Sequence, residues 1–129
     1  MKLLLDTHIW IWMMQEPKRL SRRVQEEIQD TANDLWLSPI STWEVLLLHA
    51  KQKIQLHLDP AAWISTAIAG CKEAPLTHEI VVVAQRLPLP HLDPADRFLA
   101  ATAKVLGLTL VTADQKLLGL GDIRTLANR

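Results

Sequence analysis

The sequence predicts an α/β domain in three layers, with a central parallel sheet covered by helices on both faces. Three observations predict it. Short apolar runs that read as strands alternate with helical stretches. The runs are apolar enough to be buried on both faces, as parallel strands are. Acidic residues fall where strands end and helices begin, the edge at which such sheets bind ligands.

The elements follow in order. Residues 2–5 (KLLL) read as a buried strand that ends at Asp6-Thr7. Residues 8–14 (HIWIWMM) form a helix that is apolar almost all round, broken at Glu16-Pro17. From Ser21 a second helix puts Leu20, Val24 and Ile28 on one stripe. Residues 35–38 (LWLS) read as a strand closed by Pro39, and Ser41 begins a helix running through Glu44 to about Lys51. Asp59-Pro60 starts the next helix, an N-cap residue followed by Pro at the first helical position. That helix carries Trp63, Ile64 and Ile68 and stops at Gly70. Residues 74–76 are expected as a third strand. In residues 78–87, Thr77 suits an N-cap while the β-branched run 80–83 has strand propensity, and the reading adopted is helix. LPLP (87–90) is a loop, and Asp93-Pro94 starts a helix whose buried part, 98–106, ends at Gly107. LTLV (108–111) is a buried strand, a turn-rich segment follows, and residues 123–126 add a final strand.

The chain of 129 residues fits one domain, 1–129, with a real core. The run LLL before Asp6 is too short for a signal-peptide core, and the single Cys71 has no internal partner. No segment approaches the roughly 20 apolar residues of a membrane span. The expectation is a cytoplasmic protein with no membrane contact. The formal net charge is zero, with 14 basic and 14 acidic residues, which excludes a general nucleic-acid binder held by global charge but not a nuclease.

Four carboxylates stand out: Asp6 after KLLL, Glu44 in SPISTWEVLLL, Asp96 in HLDPADRFLAATA and Asp114 in LTLVTAD. Each has a local explanation. Ser41-Thr42-Trp43-Glu44 is a capping-box pattern in which Glu44 would serve the Ser41 N–H. Asp93 is a natural N-cap, and Asp96 suits the positive end of the helix dipole. Asp114 favours a turn, and Asp6 an Asx turn. Jointly the four point elsewhere. If the fold gathers them at the carboxyl edge of the sheet, they form a dense negative pocket suited to a hard divalent cation.

At these residues the chain resembles the PIN-domain family, and within it the small toxin ribonucleases of bacterial toxin–antitoxin pairs, the VapC type. The resemblance runs over essentially the whole chain and is carried by LLLDTHIWIW, SPISTWEV and LPLPHLDPADRFLAATAKVLGLTLVTAD. It implies a parallel sheet between helices and an endoribonuclease that cuts RNA with acids holding Mg²⁺ or Mn²⁺. The family's acids fall on Asp6, Glu44, Asp96 and Asp114, with Asp93 as helix cap. Asp6 and Asp96 are expected to bind the ion directly, and Glu44 and Asp114 partly through water. Thr112 matches the family's T-x-D threonine and Thr7 follows the first aspartate; either hydroxyl could position a phosphate, water or carboxylate. A cognate antitoxin and a homodimer are implied as partners.

One departure concerns the cation that contacts substrate. The family often carries Lys four residues after the Trp-Glu glutamate, where this chain has Leu48. Lys51 and Lys53 are the nearest bases, Lys51 on roughly the face of Glu44, and Arg97 is a further candidate for RNA phosphate or a partner. His8, His49, His57, His78 and His91 lack paired zinc spacing, although His8 is close enough to Asp6 to reach the pocket. Five Trp against one Phe leave Trp10 and Trp12 expected in the core, and Trp43 expected to pack its helix on the sheet. The rival readings are an idle module binding RNA or protein on the same fold, and a receiver-like domain. The second lacks an acid or nucleophile arrangement beside Asp6 and a Gly-rich phosphate loop.

Overall fold

The structure is a computed structural model and describes residues 1–88 and 93–129. Part of the expected loop at 87–90, and His91, lie outside the described residues. Strands β1 (Lys2–Leu5), β2 (Asp34–Leu37), β3 (Lys72–Glu73), β4 (Thr109–Thr112) and β5 (Arg124–Ala127) form one parallel sheet in the order β3-β2-β1-β4-β5. Helices α1 (Thr7–Gln15), α2 (Arg22–Gln29), α3 (Pro39–Ala50), α4 (Pro60–Ala67), α5 (His78–Arg86), α6 (Pro94–Leu106) and α7 (Gln115–Leu118) complete the chain. A 3₁₀ turn, Pro17–Arg19, links α1 to α2.

The three layers follow from the period of two along a strand. On β1, Leu3 and Leu5 face one side and join Ile9, Trp10, Val24, Val45, Trp63 and Val111 in a core with α1 to α4. Leu4 faces the other side and packs with Ile80, Ala84, Leu99, Ala100 and Leu110 beneath α5 and α6. All three leucines are fully buried. Trp10 anchors the first core, its indole N–H donating to the Ala67 carbonyl at 3.1 Å.

Three elements and the placement of Trp43 differ from expectation. Helix α3 begins two residues before Ser41. Ser38 caps it by accepting from the Ile40 N–H at 3.1 Å, and Pro39 takes the first helical position instead of merely closing the strand. The third strand lies at Lys72–Glu73 because Pro75 has no N–H to donate to the ladder; the Ala74 N–H makes its last bond, to the Leu37 carbonyl at 2.9 Å. A one-turn helix, α7, occupies the turn-rich segment, capped by Asp114. Trp43 does not pack on the sheet; it projects outward from α3 and is 54% exposed. The ambiguous segment is helical as expected. Ile80 and Ala84, one turn apart, are buried, while Val81 and Val82 face outward. Gly107, at φ 64°, ends α6 in the left-handed conformation.

Candidate active site

The strand order reverses between β1 and β4, because β2 and β3 extend from one side of β1 while β4 and β5 extend from the other. Crevices at the carboxyl ends of such strands are where open parallel sheets hold ligands. Here a hollow of about 370 Å³ opens there, lined by Asp6, His8, Trp12, Glu44, Asp93, Asp96, Ala113 and Asp114. The four acids singled out in the sequence therefore share one hollow. Asp93, read as a cap, lines it too, and His8 reaches it.

The way each acid arrives differs. Asp6 occupies the N-cap position of α1 with extended backbone, yet its side chain caps nothing. Its backbone N–H continues the sheet by donating to the Val111 carbonyl at 3.0 Å. The carboxylate instead accepts from the Thr112 hydroxyl at 2.6 Å, across the β1–β4 junction. Thr112 also accepts from the Asp114 N–H at 3.0 Å, which ties the two strand ends together.

Glu44 is likewise free of the capping box expected of it. With α3 beginning at Pro39, the Ser41 N–H bonds the Ser38 carbonyl at 3.0 Å, leaving Glu44 without that duty. Its Oε1 accepts from the Thr7 hydroxyl. The Thr7 oxygen is also 2.9 Å from Ser41 Oγ. A carboxylate is acceptor-only, so the single Thr7 proton goes to Glu44 and Ser41 donates to Thr7. Ser41, fully buried, is a site-supporting residue that the sequence reading missed. A helix starting at the proline would have placed it one turn in, facing Thr7.

Asp93 and Asp114 do carry local duties. Asp93 caps α6 by accepting from the Asp96 N–H at 2.9 Å, and Asp114 caps α7 through the Lys116 N–H at 2.9 Å. Asp96 sits in the first turn of α6, and among the described residues its carboxylate accepts no hydrogen bond.

The crowding shows in the acidities. Burial pushes the Asp6 carboxyl up, against the pull of Thr112 and His8. Burial also raises Glu44, with the charges of Asp93 and Asp6 adding to it and Thr7 opposing. Asp96 is pushed up to about 8, by burial first and then by Asp93, Asp6, Asp114 and Glu44. Burial and crowding thus favour a proton on Asp96 at neutral pH.

The donors fit a hydrated divalent ion. Among the described residues no three His, Cys, Asp or Glu side chains close tightly enough to cage a metal between them. Mg²⁺ asks for less, one or two carboxylates while it keeps several waters. The hollow offers oxygen ligands only, apart from His8, and has room for that water.

The proposed cations lie elsewhere. Lys51 caps the far end of α3 and is exposed, outside the hollow's lining, and Leu48 packs into the core beneath α3. Arg97 donates to the Ala84 and Leu87 carbonyls at 2.9 and 3.2 Å, holding α6 to the end of α5.

Over residues 3–122 the chain matches the PIN domain family. It is similar to Ribonuclease VapC22 of Mycobacterium tuberculosis, 34% identical over 115 residues that make up 88% of each chain. In three dimensions it is similar to DNA-bound VapBC from Salmonella typhimurium, with 18% identity, a TM-score of 0.76, and coverage of 100% of this chain and 99% of that one. It is also similar to VapBC2 from Rickettsia felis bound to a DNA fragment from its promoter, with 16% identity, a TM-score of 0.75 and 98% of each chain covered. At such identities the structural likeness speaks for the fold; the family match and the curated relative speak for ancestry. The chain belongs to the PIN domain family.

Proposed function

We propose that this chain is a Mg²⁺- or Mn²⁺-dependent endoribonuclease that hydrolyses RNA phosphodiester bonds. It acts in the cytoplasm as the toxin of a toxin–antitoxin pair, as a single domain over residues 1–129, dimeric and neutralised by a cognate antitoxin. The observation that carries the reading is the gathering of Asp6, Glu44, Asp96 and Asp114 around one hollow where the strand order reverses. The relative named a ribonuclease and the likeness to VapBC proteins support the activity and the partner.

In this reading Asp6 and Asp96 would hold the ion, while Glu44 and Asp114 would orient its water. A bound divalent cation supplies an acidified water and offsets charge on the scissile phosphate and the leaving oxygen. The chain's own residues do the positioning. Thr112 fixes Asp6, and Thr7, itself held by Ser41, fixes Glu44. Asp93 keeps the first turn of α6 in register, so Asp96 meets Asp6 across the hollow. With their pKa values raised, these carboxyls would bind an ion at the cost of a proton.

The test is direct. Nuclease-free protein should cleave single-stranded RNA with Mg²⁺ or Mn²⁺ and stop with chelator, and a folded Asp96→Asn variant should be inactive. Undiminished cleavage by that variant sinks the site. The toxin role is read separately: induction alone should arrest bacterial growth, and co-induction with the adjacent antitoxin gene should relieve it. Unimpaired growth in both cases counts against a toxin.

A further inference from the structure

The acid hollow repels every phosphate except the one a metal neutralises, and the chain's net charge of zero offers no general attraction to RNA. Substrate affinity must come from a neighbouring surface. A second hollow, of about 530 Å³, adjoins the first and shares His8 and Trp12 with it. Its lining reverses the charge, with Arg19, Lys53 and His57 present and Glu16 the only acid among the described lining residues.

The wall is built to stay open. Gln15, at the end of α1, donates through Nε2 to the Gln55 carbonyl at 3.1 Å, which pins the segment carrying Lys53 and His57 beside the helix. The Arg19 guanidinium lies 4.5 Å from the centre of the Trp12 ring, and His8 stacks at a tilt on the same ring at 5.9 Å. Arg19 is also paired with Glu16 at 3.5 Å, but both side chains are 57% exposed. An exposed pair of that kind is weak, and a phosphate can take Glu16's place.

Resting on the nuclease reading above, we propose that this groove is the track for single-stranded RNA: Arg19 and Lys53 hold phosphates flanking the scissile bond, and Trp12, its face freed as Arg19 swings to a phosphate, stacks an unpaired base at the border of the acid hollow. Single strands suit it because an aromatic face beside cations recognises an unstacked base without regard to sequence. Lys53, rather than Lys51, thereby supplies the charge that Leu48 leaves missing.

The test measures binding apart from cleavage. Anisotropy of a labelled single-stranded RNA 12-mer is followed in Mg²⁺ with the Asp96→Asn chain, then with Arg19→Gln and Lys53→Gln added. A control adds Lys2→Gln and Lys104→Gln, the same charge change away from the groove. The groove pair should weaken binding at least tenfold, and the slope of log K against log salt should become shallower by roughly 1.4. Trp12→Leu, which keeps an apolar side chain there, should weaken it about tenfold. The control should bind as the parent does. Equal affinity in parent and groove variant overturns the proposal, as it would if the groove served an acidic peptide instead. So does failure of the parent to bind RNA at low salt, or equal weakening by the control. RNA binding through the groove with no cleavage by the unmodified protein would instead sink the nuclease reading and leave the track standing.

Discussion

Three helices of this protein begin from an aspartate in nearly the same backbone conformation: Asp6 at φ −61°, ψ 152°, Asp59 at φ −59°, ψ 151° and Asp93 at φ −66°, ψ 161°. Asp93 does what an N-cap aspartate does and accepts from the N–H three residues on. Asp6 does not. Its carboxylate is drawn to Thr112 and into the hollow, forgoing a cap usually worth about 1 kcal/mol. The other α-helices, α2 to α7, each begin from a residue whose side chain caps. Local stability does not explain a buried acid that caps nothing; the proposed role at a cation does.

The largest effect expected from this contrast is on catalysis. Asp6→Asn and Asp96→Asn should each lower RNA cleavage on the order of a thousandfold. Asp93→Ser, which can still cap, should lower it less than about tenfold. Comparable losses at Asp6 and Asp93 in single-turnover assays would erase the distinction. Next comes the hydroxyl that holds Asp6. Thr112→Val should weaken metal affinity and cleavage roughly 10- to 100-fold, because it removes the group that orients a ligand.

The acidity of Asp96 sharpens the same contrast in the metal-free protein. Its carboxyl titrates near 8 when folded and far lower when unfolded, so the folded state holds the extra proton between about pH 4 and pH 8. Stability then falls as pH rises through that window. Asp96→Asn should flatten the dependence, and added Mg²⁺ should reverse it by stabilising the ionised form. Urea denaturation at pH 5, 6.5 and 8 reads this. Smallest is the capping term itself. Asp93→Ala should lower the metal-free melting temperature by about 4 °C, whereas Asp6→Asn, which relieves a buried like charge and loses no cap, should not lower it.

Much of this was legible in the residues. Apolar runs between helical stretches gave the parallel sheet and both layers, and four acids at element edges gave the hollow. Two things were not legible, for definite reasons. Ser38-Pro39 was read as the end of a strand, since proline both closes strands and opens helices, and that shifted α3 by two residues. The shift made Glu44 look like a capping-box acid and hid Ser41. Arg97 was read as a candidate contact for RNA phosphate or a partner, and its bonds to the carbonyls at the end of α5 were hidden because spacing near Asp96 says nothing of side-chain direction. The cationic groove escaped notice for the same reason, as Arg19 and Lys53 stand 34 positions apart and meet only in the fold.

Asp6 and Asp96 are proposed to hold a cation at a cost in local and electrostatic stability. Calorimetric titration of Mn²⁺ into metal-free protein at pH 8 tests this most directly. Binding should be present in the native chain, fall at least tenfold in both Asp6→Asn and Asp96→Asn, and persist in Asp93→Ser. Native-like Mn²⁺ affinity in folded Asp96→Asn, or no binding by the native chain, would contradict it.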